Sequence, residues 1–203
     1  MIKKKSIIKK AGAGERRRHS IWPFKLLKYL LWVIPGLYFS CSVLGKKYIK
    51  IKVSSKLFPA LLIFLRYNSC FNMEYLVDIC TSDLSLLNIK YRFSLTYLLL
   101  NVRQNFRLLL QIKTIENIPL PSIADLFNSA VWLEREAWDM FGIYFTGGID
   151  LRRILTDYSF IWFPLRKNFP VVGFYELFFD DYVAHIVREP VQFMQEPRVF
   201  FTR

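Results

Sequence analysis

The sequence predicts an α+β fold: a two-layer domain with a mainly antiparallel sheet and helices on one face, followed by an extended, partner-wrapping C-terminal segment. Three observations carry this expectation. Apolar residues alternate with period two at 46–53, 91–100 and 105–113, and helical stripes lie before and after these runs, the pattern of strands covered on one side by helices. The 203 residues suffice for one domain plus appendages. Residues 141–203 carry Pro164, Pro170, Pro190 and Pro197, little periodicity, and 16 aromatic residues, more than such a segment can bury by itself.

Charge sets the first 45 residues apart. Residues 1–50 hold 13 Lys/Arg and one acid, Glu15, whereas 51–203 hold 16 basic and 15 acidic residues, so the net charge of +13 belongs to an N-terminal arm. MIKKKSIIKKAGAGERRRHS has the basic, acid-poor, small-residue composition of a mitochondrial transit peptide. Met1 is retained, and with it the expectation is synthesis inside the organelle. Residues 29–45 form an uncharged apolar stretch of 17 residues with Pro35-Gly36 at its centre. A membrane-spanning helix needs about 20 residues and no central break. Burial against a neighbouring subunit is the alternative, and an interfacial arm with Trp22 and Trp32 on an anionic membrane or RNA is the third.

The body, 46–141, follows element by element. In KKYIKIKV, Ile49, Ile51 and Val53 alternate with Lys50 and Lys52, a half-buried strand. Leu57, Leu61, Phe64 and Leu65 fall at helical spacing, with Pro59 confined to the first turn. NMEYLVDIC (72–80) reads as a strand meeting a turn at Thr81-Ser82-Asp83. Runs 91–100 and 105–113 alternate around a hairpin at Asn101–Gln104, which makes an antiparallel meander. Ser122-x-x-Asp125 has the capping-box spacing of a short helix. A second helix begins near Ser129, carries Ala130, Leu133, Ala137, Met140 and Phe141 on one stripe, and ends at Gly142.

Composition excludes most self-contained chemistry. Cys41, Cys70 and Cys80 include no C-x-x-C pair, and His19 and His185 stand far from other ligands. Gly147-Gly148 lacks the spacing and lysine of a phosphate loop. Glu134 and Glu136 are two apart on a helix and diverge, while Arg135 lies four residues before Asp139 and suggests an i, i+4 ion pair.

From LEREAWDMFGIYF (133–145) through DLRRILTDYSF (150–160) to PLRKNFP (164–170), charges and aromatics become dense and specific. These segments, with Gly173, Glu189-Pro190-Val191, Gln195-Glu196, VDIC (77–80), Asp83 and PSIADLF (121–127), resemble the thirty-kilodalton (subunit nine) family of NADH:ubiquinone oxidoreductase, complex I, over about residues 46–203. Two histidines usual in that family are replaced: His-Pro by Gly148-Ile149, and Gly-His by Trp162-Phe163; Ser159 and Asn168 also depart.

The resemblance implies a structural subunit of the peripheral arm and quinone module, with no cofactor of its own. Its partners would be the forty-nine-kilodalton-type subunit and its neighbours, while NAD, FMN, iron–sulfur clusters and ubiquinone serve the holoenzyme. The setting would be the matrix side of the mitochondrial inner membrane. The candidate partner-contact residues are Glu134, Arg135, Trp138, Asp139, Arg152, Arg153, Asp157, Arg166, Lys167 and Phe169. Arginines among them suit bidentate pairing with partner carboxylates, and internal pairing with Asp150, Asp157, Asp180 or Asp181 is the alternative. A rival function is a mitochondrial ribosomal protein that binds RNA through the basic arm.

Overall fold

The computed structural model describes residues 21–34, 40–44, 48–87, 90–148, 150–192, 195 and 198. The basic segment 1–20 with Glu15 and His19, Pro35-Gly36, Ile149 and Glu196 lie outside the described residues.

Five strands form the main sheet in the order β1-β2-β5-β4-β3. They are β1 (Ser40–Leu44), β2 (Tyr48–Val53), β3 (Tyr75–Asp83), β4 (Phe93–Asn101) and β5 (Phe106–Thr114). All neighbours are antiparallel except β2 and β5, where Ile51 lies opposite Leu110 in a parallel pair. The expected meander is β3-β4-β5. Period-two alternation gives the sheet two faces: Ile49, Ile51, Leu108, Leu110, Leu95, Tyr97 and Leu99 are buried on one, and Lys52 is exposed on the other.

Helices α1 (Ile21–Val33), α2 (Phe58–Tyr67) and α3 (Ala130–Phe141) supply the second layer. The apolar N-terminal region thus enters the domain: Leu26 and Leu30, at i, i+4, are 6% and 1% exposed, and β1 is an edge strand of the sheet. Its 13-residue helix is too short to cross a bilayer, and no helix among the described residues is long and apolar enough to do so. In α2, Pro59 occupies the first turn, and Phe58, Leu61, Leu62 and Leu65 are buried, each contributing about 1.5–3 kcal/mol of hydrophobic stabilisation. Leu57, placed by spacing on that stripe, instead sits at the N-cap and is exposed.

Two boundaries differ from the sequence expectation. Strand β3 runs through Thr81-Ser82-Asp83 because each still pairs with β4, and the turn comes later, at a 3-10 turn Ser85–Leu87. Ser122-x-x-Asp125 opens no helix. The Ser122 hydroxyl instead donates to Glu134 Oε2 at 2.7 Å and accepts from Ala124 N–H, so it forms a turn. That turn follows β6 (Leu120–Pro121), which pairs in parallel with β7 (Phe145–Thr146).

Beyond β7, the described residues of the C-terminal segment include a β-ribbon that the sequence pattern does not announce. Strands β8 (Tyr175–Asp180) and β9 (His185–Pro190) form an antiparallel ribbon, and nearly all of its residues are exposed.

Candidate interaction site

Of the charged residues that pointed to function, Asp139, Arg153, Arg166 and Lys167 meet in two buried anchors beside the C-terminal end of α3. Both fix the segment 150–169 to the domain.

Asp139 is the first. Its side chain is wholly buried, which on its own pushes a carboxyl pKa upward. Five donors outweigh that cost. The Thr156 hydroxyl and Arg153 Nη1 bond to Oδ1, the latter at 2.9 Å, and the backbone N–H groups of Leu155, Thr156 and Ile154 bond to Oδ2 at 2.7, 3.0 and 3.1 Å. The carboxyl is thereby held below the usual range. The expected Arg135–Asp139 ion pair does not form. Arg135 lies over the Trp132 ring at 5.0 Å and donates from Nε to the Arg152 carbonyl at 2.9 Å. An i, i+4 arginine can offer one charge, whereas a nest of three N–H groups answers both the charge and the lone pairs of a buried carboxylate.

Arg166 is the second anchor and is 9% exposed. Its Nε donates to the Phe141 carbonyl at 2.7 Å, and its Nη1 donates to Glu116 Oε1 at 2.7 Å. Glu116 also pairs with Arg92, whose other nitrogen donates to Asn168 Oδ1 at 2.9 Å and stands 3.6 Å from Asp83. Asp83 is buried, which raises its pKa, but N–H groups of Lys167 and Ser85 and the Arg92 charge hold it below the usual range. One cluster therefore ties β3, the residue leading into β4, the loop after β5, α3 and residues 166–168 together.

Phe163 joins the anchors. Its ring meets Trp138 edge-on at 5.6 Å and lies 4.5 Å from the Arg166 guanidinium and 5.3 Å from that of Arg153. An aromatic face so placed stabilises both cations. Gly142 makes the approach feasible: its φ is +75°, and a Cβ there would fall 2.6 Å from both Arg166 Nη2 and the Phe163 ring.

Glu134 serves the domain itself. It is 2% exposed, accepts from Ser122 and from Ile123 N–H at 2.8 Å, and has its pKa pushed up by burial. Glu136 is exposed, so the two carboxylates do diverge. Arg152 and Asp150 form an exposed pair at 2.8 Å. Asp157 and Lys167 carry exposed side chains, and Phe169 packs edge-on against Phe174 at 5.4 Å. Beside the Arg166 cluster lies a half-open cleft of about 480 Å³, lined by Trp138, Tyr144, Ile118 and Glu116, whose oxygens are already taken.

Beyond the anchors the chain turns outward. On the β8–β9 ribbon, Tyr175, Leu177 and Phe179 share one face with Ile186, at exposures of 53–68%. Arg188 Cζ stacks 4.1 Å from the Tyr175 ring on the same face. Leu155, Tyr158 and Ile161 are also exposed. The arrangement can hold an apolar surface in a fixed position, and the buried ionic groups are consumed in holding it. Among the anchoring residues, the sequence singled out Asp139, Arg153, Arg166, Lys167 and Trp138 but not Arg92, Glu116 or Thr156; charged or hydroxyl side chains bordering strands and turns give no signal of burial.

The family described as respiratory-chain NADH dehydrogenase, 30 Kd subunit, matches residues 51–175. NADH-ubiquinone oxidoreductase subunit 9 of Acanthamoeba castellanii is 42% identical over 180 residues, 85% of this chain and 89% of the relative. An NADH-quinone oxidoreductase subunit of Sinorhizobium medicae is 47% identical over 141 residues, 70% of this chain and 69% of the relative. A chain in the structure of an archaeal respiratory complex, the membrane-bound sulfane sulfur reductase, superposes with a TM-score of 0.64 at 21% identity, covering 74% of this chain and 86% of that one. That likeness establishes the shared fold. On the family match and these identities, the chain belongs to the thirty-kilodalton subunit family of respiratory-chain NADH dehydrogenase.

Proposed function

We propose that the chain is a structural subunit of complex I, seated in the quinone module of the peripheral arm against the forty-nine-kilodalton-type subunit. The carrying observation is the β8–β9 ribbon: a two-stranded ribbon with an uncovered apolar face is marginal in water, so this one is suited to a partner. Its relatives named as subunits of NADH-ubiquinone and NADH-quinone oxidoreductases supply the assembly in which that partner is found.

In this role the chain supports electron transfer from NADH to ubiquinone, and the proton pumping coupled to it, by positioning neighbours. FMN, iron–sulfur clusters and the NAD and ubiquinone sites belong to those neighbours. Support for a non-catalytic chain comes from the pairing of its buried ionic groups, since Glu134, Asp139 and Arg166 are already engaged within the fold. The nearby thiol Cys80 bonds to Asp78, which pushes its pKa up to about 11, away from nucleophilic reactivity. The location consistent with this role is the matrix side of the mitochondrial inner membrane. The ribosomal alternative draws no support from the family match.

Affinity purification of the tagged chain tests the proposal. Quinone-module subunits and rotenone-sensitive NADH:ubiquinone activity should co-purify with it. Recovery in a stable particle lacking those subunits would overturn it.

A further inference from the structure

The face of the main sheet opposite the three helices carries a pattern that the C-terminal ribbon does not explain. Because β2 and β5 are in register, Lys50 lies beside Leu109 and Lys52 beside Gln111. Arg107 and Lys113 stand at the two ends of β5 on that same face. Among the described residues, none of these four cations enters an ion pair. Next to them lies an aliphatic floor. Leu98 is directly opposite Leu109, Leu100 is opposite Arg107, and all three leucines are half-buried. The next row of side chains, toward β3, contains Asp78, so the basic half of the face is confined to β2 and β5.

We infer that this face is an interaction surface for an acidic, amphipathic helical segment of another protein chain. The inference rests on the reading above that the chain works inside an assembly. Charge complementarity selects the occupant: four unpaired cations among the described residues flank the floor, and carboxylates on a partner would steer it and fix its register. Aliphatic residues at i, i+3 and i+4 would meet the leucines. Length agrees as well. The six residue steps from Arg107 to Lys113 span about 20 Å at the rise of a strand, which about 13 residues of helix match. RNA fits less well, because sheet faces that bind single-stranded RNA stack bases on central aromatics. Here the centre is leucine, and Tyr48 and Tyr75 stand toward the edges.

The test uses the chain in the native particle from which it is recovered, whichever particle that proves to be. Amine-reactive labelling compares Lys50, Lys52 and Lys113 with the exposed Lys56 as internal reference, and carbodiimide coupling joins lysines to touching carboxylates. The three lysines should label at least ten-fold more slowly than after denaturation, and should couple to an Asp/Glu-rich peptide of another chain with helical apolar spacing. Coupling should fall at least five-fold in the Lys50→Gln/Lys52→Gln variant, which keeps the strand. Free labelling in the particle overturns the inference. So does protection abolished by nuclease, protection reproduced by anionic vesicles alone, or coupling to a peptide of this same chain. The assembly reading fails separately, through absence of quinone-module subunits from the particle.

Discussion

Asp139 and Thr156 are joined through both carboxylate oxygens: the Thr156 hydroxyl donates to Oδ1, and the Thr156 backbone N–H donates to Oδ2 at 3.0 Å. The residues are 17 positions apart, so the link closes a loop of the C-terminal segment onto α3. Asp139→Asn presents an amide N–H₂ where one oxygen accepted, and leaves Arg153 without its counter-charge. The expected cost is about 3–5 kcal/mol, as for removal of one partner from a buried ion pair. Urea titration should show a lowered midpoint, and hydrogen exchange should show lost protection at 154–156.

The same residue sets one limb of the pH dependence. Its folded pKa is depressed, so its contribution is fully present above the unfolded aspartate value of about 3.9 and is lost as pH falls through the folded value. Asp83 acts in the same direction. Glu134 acts oppositely. Burial raises its folded pKa, so its contribution is present below the unfolded glutamate value of about 4.3 and is lost as pH rises through the folded value. Glu134→Gln can still accept from Ile123 N–H and can donate to Ser122 Oγ. This variant should keep the fold and remove that loss on the rising limb. A titration of stability above pH 4 that is unchanged from wild type would contradict the assignment.

Phe163 stands where the resemblance to the family implies a histidine. Its ring lies 4.5 and 5.3 Å from two guanidinium groups, a setting that favours a neutral aromatic. Phe163→His should retain the edge contact with Trp138, yet protonation of the imidazole would add a third cation. The folded pKa of that imidazole is expected below its unfolded value of about 6.5. Stability of the variant should therefore match wild type most closely above pH 7 and fall as pH drops below about 6.5, a trend absent from wild type in that range. NMR titration of the introduced ring provides the direct measurement.

The body was legible because its elements announce themselves locally. Ile49, Ile51 and Val53 alternate, the meander strands follow the same rule, and Gly142 marks the end of α3 at a positive φ. Helix α1 was less so. Leu26 and Leu30 have helical spacing, but the uncharged run beginning at Tyr29 has nearly bilayer length, which obscures the division into a helix and a strand. Strand β8 was hidden by Phe178, whose apolar side chain masks the alternation of Tyr175, Leu177 and Phe179 with Glu176 and Asp180. The anchors were legible as residues but not as contacts. Spacing gives Asp139 a neighbour four residues away, and its donors come from 14 to 17 residues downstream. Burial, which forces a carboxylate to collect several donors, is a property of the packed fold rather than of spacing.

The division of labour between anchors and ribbon predicts that folding and assembly can be separated. Leu177 and Phe179 are more than half exposed, so replacing them with aspartate removes little buried apolar area from this chain. Leu177→Asp/Phe179→Asp should leave the unfolding free energy from urea titration within about 0.5 kcal/mol of wild type, as for surface substitutions elsewhere. Association should respond differently. Aromatic and aliphatic anchors at the centre of an interface commonly cost about 2 kcal/mol or more each when lost, and a carboxylate buried there adds a desolvation penalty. The double variant should therefore accumulate outside the large particle on native gels while retaining its circular dichroism spectrum. Arg166→Lys provides the reverse case. A lysine cannot bond to the Phe141 carbonyl and to Glu116 in the geometry that the guanidinium spans, so this variant should lose stability first and assembly as a consequence. If the ribbon variant assembles normally, the apolar face of β8–β9 is not the partner surface.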